Sequence, residues 1–185
     1  MCPLFRNWHL YFFIICSTCL SISLVWEYEH LWQHDSCSVL ATYTRNLLQG
    51  KVGSGYGEST FVVLEPEQLQ VGDILLGGYP NCAYGKYSHA GLYMGKGMVV
   101  ESFYDLGVCI QNVSHYQDYS YVLILRVKAP EESRQKAVSY ALKQEGKLFY
   151  PLAFKKGDRY WNCTKLIWKA YKQAGIDLDP IDDLW

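Results

Sequence analysis

Neither sign of charge prevails in this sequence: 17 Lys and Arg stand against 18 Asp and Glu, a formal net charge of -1. That lack removes the broad basic field on which general nucleic-acid binding depends, so no nucleic-acid partner is expected. Charge is also sparse, at 19% of the chain against 50% hydrophobic residues. Extended disorder is thereby excluded, and the apolar content is enough for a sizeable core. The seven cysteines are odd in number and irregular in spacing, which fits neither a small disulfide scaffold nor a paired zinc framework. His30, His34 and His115 show no ligand spacing, so no metal site is expected, and no cofactor is implied. Repeats and low-complexity blocks are absent. The 185 residues have room for one domain, or one domain and a tail.

What is there begins with an apolar amino end. Residues 10–26 carry no charge, Arg6 precedes them, and Glu27 and Glu29 follow. A basic start, an apolar stretch and an acidic exit make a signal peptide or signal anchor over residues 1–26. The stretch is at the short limit of the ~17–25 residues of a helical span. Membrane association through residues 10–26 is expected, with the remainder of the chain exported or membrane-anchored outside the cytoplasm. Residues 27–60 read as a linker with a short helix near 38–48 and a Gly/Ser-rich stretch at 50–59.

A folded domain is expected over 61–185. Strand-like runs fall at 61–64, 71–76, 88–94, 98–103, 108–112 and 121–127, separated by Gly, Asn and Asp. Two helices follow. One begins at Pro130 with Glu131 and Glu132 in its first turn and stops before Gly146. The other runs from Cys163 to Ala174, with Leu166, Ile167, Ala170, Tyr171 and Ala174 at helical spacing. Adjacent strands followed by helices make an α+β domain with a mainly antiparallel sheet.

Three residues carry candidate chemistry. Cys163 follows Asn162, a good helix cap, and so falls in a helix first turn, where aligned amides favour the thiolate. His89 opens one arm of a hairpin and Glu101 closes the other, with Gly95-Lys96-Gly97 between. A two-residue loop pairs Leu92 with Glu101 and puts His89 and Glu101 on opposite faces. A three-residue loop pairs Met94 with Met98 and Gly91 with Glu101. His89 and Glu101 then share a face one diagonal apart, about 7–8 Å between backbones. Gly91 opposite Glu101 leaves room for the imidazole and carboxylate to meet. A Cys nucleophile, a His base and a carboxylate that orients the base form a working set for acyl transfer.

The strings Val71-Gly72-Asp73-Ile74-Leu75-Leu76, His89-Ala90-Gly91-Leu92-Tyr93-Met94-Gly95, Val99-Val100-Glu101-Ser102 and Asn162-Cys163-Thr164-Lys165-Leu166-Ile167-Trp168 resemble, in this order, the circularly permuted papain-like amidases. These are the YiiX-like branch of the NlpC-type cysteine peptidase superfamily, in which His and acid precede Cys. The resemblance covers roughly 65–180 and departs from the pattern at Thr164-Lys165 and Pro151. It implies a papain-like α+β fold whose antiparallel sheet packs on the nucleophile-bearing C-terminal helix. It also implies Cys163 as nucleophile, His89 as base and Glu101 as orienting acid, with Tyr150 and Asn162 lining the oxyanion or substrate site. The expected function is an exported or membrane-tethered cysteine hydrolase cleaving a peptide or cell-wall peptide amide bond through a thioester. Two alternatives are a thiol acylhydrolase or acyltransferase acting on a lipid or acyl-amide substrate, and a binding module that keeps the fold without catalysis. The intact Cys-His-Glu set argues against the last.

Overall fold

A computed structural model of the chain describes residues 8–27, 39–56, 64–151 and 153–180. The chain divides into two compact units, 1–45 and 46–185. In the first, α1 (Trp8–Glu27) is one uninterrupted helix with Trp8, Phe12, Phe13, Ile14 and Ile15 exposed along it. Ser17, Thr18, Ser21 and Ser23 interrupt its apolar character. Among the described residues, no helix is long and apolar enough to cross a membrane. α2 (Val39–Leu48) occupies the segment where a short helix is expected.

The larger unit is built on five strands: β1 (Ile74–Gly78), β2 (His89–Gly95), β3 (Met98–Phe103), β4 (Gly107–Asn112) and β5 (Tyr121–Leu125). Their spatial order is β4-β3-β2-β1-β5, antiparallel throughout. The first four make a meander, and β5 returns to pair with β1, Leu75 lying opposite Ile124. α3 (Glu131–Leu142) and α4 (Cys163–Gln173) pack on one another and against β2 and β3. The α+β antiparallel architecture expected from the sequence is the one observed. Part of the expected first strand, residues 61–63, lies outside the described residues.

Both faces of the sheet are covered, because alternate side chains project to opposite sides. Ala90, Leu92, Val100 and Val108 join Ala137, Ala141, Leu166 and Tyr171 of the helices in one core. Tyr93, Val99 and Leu75 pack on the other face against Val113, Tyr116 and Tyr119. Val113 and Tyr116 lie on a six-residue 3-10 turn, Val113–Asp118, between β4 and β5. A short parallel pair, β6 (Leu148–Phe149) and β7 (Tyr160–Trp161), leads directly into α4. The Val71-Gly72-Asp73 stretch proves structural. Asp73 is wholly buried and takes two hydrogen bonds from Arg126, at 2.8 and 2.7 Å. Burial would push its carboxyl up, and the Arg126 guanidinium holds it below the usual value instead.

The β2–β3 hairpin corrects one expectation. Gly91 does pair with Glu101, but Gly95 pairs with Met98 across a two-residue Lys96-Gly97 turn, and the register shifts between Tyr93 and Gly95. Lys96 and Gly97 both have positive φ, 54° and 72°, as a two-residue turn matched to strand twist requires. The extra residue that puts His89 and Glu101 on one face is therefore Met94, in the strand, and not a third loop residue.

Candidate active site

Antiparallel pairing brings the start of β2, the end of β3 and the start of β4 to one end of the sheet, and there the site assembles. His89 is the first residue of β2, opposite Gly77 of β1. Its Nε2 lies 2.8 Å from Oε2 of Glu101, whose side chain has no exposed surface. With Nε2 so engaged, Nδ1 is the ring nitrogen left for a thiol, and Cys163, in the first turn of α4, is near enough to raise the pKa of the same imidazole. Cys163, His89 and Glu101 are thus brought together.

The helix start that carries Cys163 is held firmly. Asn162 caps α4, its Oδ1 accepting the Lys165 backbone N–H at 2.8 Å. Its Nδ2 donates to the carbonyls of Pro151 and Ala153, at 3.2 and 3.3 Å. Both amide hydrogens are therefore occupied, and the side chain serves as a helix cap and a loop clamp. Trp161, fully buried just ahead, accepts bonds at its carbonyl from the Ser102 hydroxyl and the Tyr150 backbone N–H. The Tyr150 ring is half-exposed and packs near Tyr160 at 5.8 Å. Among the described contacts, none joins Tyr150 to the three central residues.

Glu101 has more partners than the sequence suggests. The Tyr116 hydroxyl donates to Oε2 at 3.0 Å, and Gln111 Nε2 donates to Oε1 at 2.8 Å. His115 Nε2 lies 2.9 Å from Oε1, close enough for an ion pair although its N–H is not aligned for a good hydrogen bond. Gly91 makes the crowding tolerable: a Cβ there would stand 2.5 Å from the Tyr116 hydroxyl and 2.9 Å from Oε2. Around the imidazole, Tyr119 stacks at 6.3 Å and the Phe103 ring meets it edge-on at 5.0 Å. His115, Tyr116, Gln111 and Tyr119 are missed by sequence reasoning. Three of them sit on or beside a short 3-10 turn with no periodic signal, and His115 lacks a neighbour at ligand spacing.

The electrostatics follow from this enclosure. Burial alone would lower the His89 pKa, but the Cys163 thiol and the Glu101 carboxylate outweigh it and hold the ring up at about 9. Burial would raise Glu101, and the histidines His115 and His89 pull it down to about 2. Burial, and after it the Glu101 charge, push Cys109, opposite Glu101 on β4, up to about 11. A protonated imidazole 2.8 Å from a carboxylate, with a thiol near enough to act on it, is the set of groups a thiol nucleophile with an oriented base needs. Among the described residues, no group of three or more His, Cys, Asp or Glu is placed to hold a metal ion.

Residues 68–184 match the family described as "Permuted papain-like amidase enzyme, YaeF/YiiX, C92 family". Among solved structures, the chain is similar to one described as the crystal structure of metalloprotein yiiX from Escherichia coli O157:H7. The two share 23% identity and a TM-score of 0.51, over 60% of this chain and 69% of the other. At that identity the likeness concerns the fold. No curated protein matches the chain.

Proposed function

This chain belongs to the permuted papain-like amidase family, a family of cysteine amidase enzymes, and we propose that Cys163, His89 and Glu101 are its catalytic triad. The single observation that carries the reading is the His89 imidazole held 2.8 Å from the buried Glu101 through Nε2, with Cys163 in the first turn of α4 near enough to act on the same ring. In the proposed reaction the Cys163 thiolate attacks an amide carbonyl carbon, and the oxyanion formed is steadied by backbone N–H groups of the first turn of α4. The Lys165 N–H is already taken by Asn162, which leaves those of Cys163 and Thr164 nearest the reacting atoms. His89 gives its proton to the leaving amine as the C–N bond breaks, and a thioester remains on Cys163. Water then attacks the thioester, His89 takes the water's proton, and a carboxylic acid leaves with the thiolate restored.

The substrate of this reading is a peptide or cell-wall peptide amide. A second reading gives the same triad an acyl-amide or lipid substrate. It is supported by Tyr104 and Leu106, exposed in the turn after Phe103, whose ring lies edge-on to His89. Incubation with peptide amides and with fatty-acyl amides, followed by intact-mass measurement, tests both. A peptidyl mass added to Cys163 supports the first, a fatty-acyl mass the second. Neither adduct in the wild type, or an equal adduct in Cys163→Ala, contradicts the triad. The proposal extends to export: α1, with its exposed apolar side chains, serves as a targeting element that is cleaved or rests at a membrane surface. Amino-terminal sequencing of the protein recovered from outside the producing cell checks this. Recovery of the whole active protein from the cytosol contradicts it.

A further inference from the structure

The Glu101 carboxylate has four neighbours, and a triad accounts for one. Oε2 faces His89 and Tyr116; Oε1 faces Gln111 and His115. His115 and Tyr116 are consecutive residues of one 3-10 turn, so a single short element meets both oxygens. That turn is itself fixed. Asn112 caps it by accepting the Ser114 N–H at 2.9 Å, and the Val113 N–H donates to the Gly97 carbonyl of the β2–β3 turn at 2.8 Å. Tyr116 is fully buried. The His115 ring is boxed by Tyr116 at 4.5 Å and by Phe103 and Tyr119 at 6.3 Å each. Its Nε2 is buried, and Glu101 is the polar group it faces.

We propose that His115 is a positioning residue: its Nε2, packed 2.9 Å from Oε1 of Glu101, keeps that oxygen in place so that Oε2 stays aimed at His89. The inference rests on the triad reading and deepens it, because the orienting acid then has an orienter of its own. A carboxylate with no exposed surface turns toward whatever donors remain, and with His115 gone Oε1 keeps Gln111 alone. The titratable groups facing this ring are Glu101 from β3, His89 from β2, and Tyr116 and Tyr119 beside it, while Cys109 of β4 pairs with Glu101. Of these, Glu101 couples to both histidines, so a change at His115 reaches His89 through the carboxylate.

The test follows the ring signals of His89 and His115 by NMR against pH, with His89→Gln to assign them. Wild-type His89 titrates near 9. In His115→Phe, which keeps the ring volume and loses the nitrogen beside Oε1, the His89 midpoint falls by about one unit or more. In His115→Gln, whose amide nitrogen replaces Nε2, it stays near the wild-type value. A second arm needs no change at His115: Glu101→Gln shifts the signals of both histidines. Wild-type His89 titrating near its ordinary 6.5 contradicts the triad itself. A wild-type value near 9 with no fall in His115→Phe, an equal fall in both His115 variants, or a His115 signal untouched by Glu101→Gln overturns the positioning role while leaving the triad.

Discussion

At the scale of residues, the site depends on an absence as much as on the three reactive groups. Gly91 faces Glu101 across the hairpin, and the space a side chain would fill is taken by the Tyr116 hydroxyl and Oε2. Gly91→Ala therefore forces an overpacked methyl against a buried carboxylate. The expected cost is about 1–3 kcal/mol of stability, measured by urea unfolding, together with loss of most turnover. A Gly91→Ala protein with wild-type stability and activity contradicts the described packing. Glycine at 91 was legible in the sequence as room for the imidazole and carboxylate to meet. The second ring on the carboxylate, His115, was not, because a six-residue 3-10 turn has neither a period of two nor one of 3.6 to reveal which way its side chains face.

Elements set the distances between these residues. α4 begins where it does because Asn162 caps it, and the same side chain ties the helix start to the carbonyls of Pro151 and Ala153. Asn162→Ala should cost about 0.5–2 kcal/mol in thermal or urea unfolding. It should also reduce turnover, because the Cys163 backbone loses both anchors. Asn162→Asp keeps the cap acceptor and loses the donors to the loop, so it should recover most of the stability and less of the turnover. Equal activity in all three proteins contradicts a role for the cap in placing the thiol. The strand ends and the capped helix were readable from apolar spacing and turn residues. The hairpin shows how such reading goes astray: an odd number of extra residues was required to put His89 and Glu101 on one face, and sequence composition placed the extra one in the loop. The chain places it at Met94, because Lys96 tolerates a left-handed turn position and a bulge supplies the shift. The return of β5 to β1 and the two-residue strands β6 and β7 are long-range pairings that no local pattern announces.

Across the whole molecule, the buried charges link stability to pH. The His89 pKa is raised in the folded state, from 6.5 to about 9, so its contribution is complete below about 6.5 and is lost as pH rises through about 9. The Glu101 pKa is depressed, from 4.5 to about 2, so its contribution is present above about 4.5 and is lost as pH falls through about 2. Melting temperature plotted against pH should therefore form a plateau from about 4.5 to 6.5 with a fall on each side. Glu101→Gln should flatten the acid-side fall and shift the alkaline one to lower pH, since His89 loses its carboxylate. A wild-type melting curve that keeps rising from pH 6.5 to 9 contradicts the assigned shifts.

The most direct test of the account compares cysteines within one folded molecule, with no knowledge of the substrate required. Cys163 stands at a helix start against the His89 ring; Cys82 is buried; Cys109 faces the Glu101 charge and is pushed up to about 11. Iodoacetamide at pH 7, with sites read by peptide mass spectrometry, should alkylate Cys163 at least about tenfold faster than Cys109 or Cys82. His89→Ala should remove most of that advantage. Cys163 labelling no faster than the other two in the folded protein, or at an unchanged rate without His89, would contradict the claim that this site is a thiol nucleophile activated by its histidine.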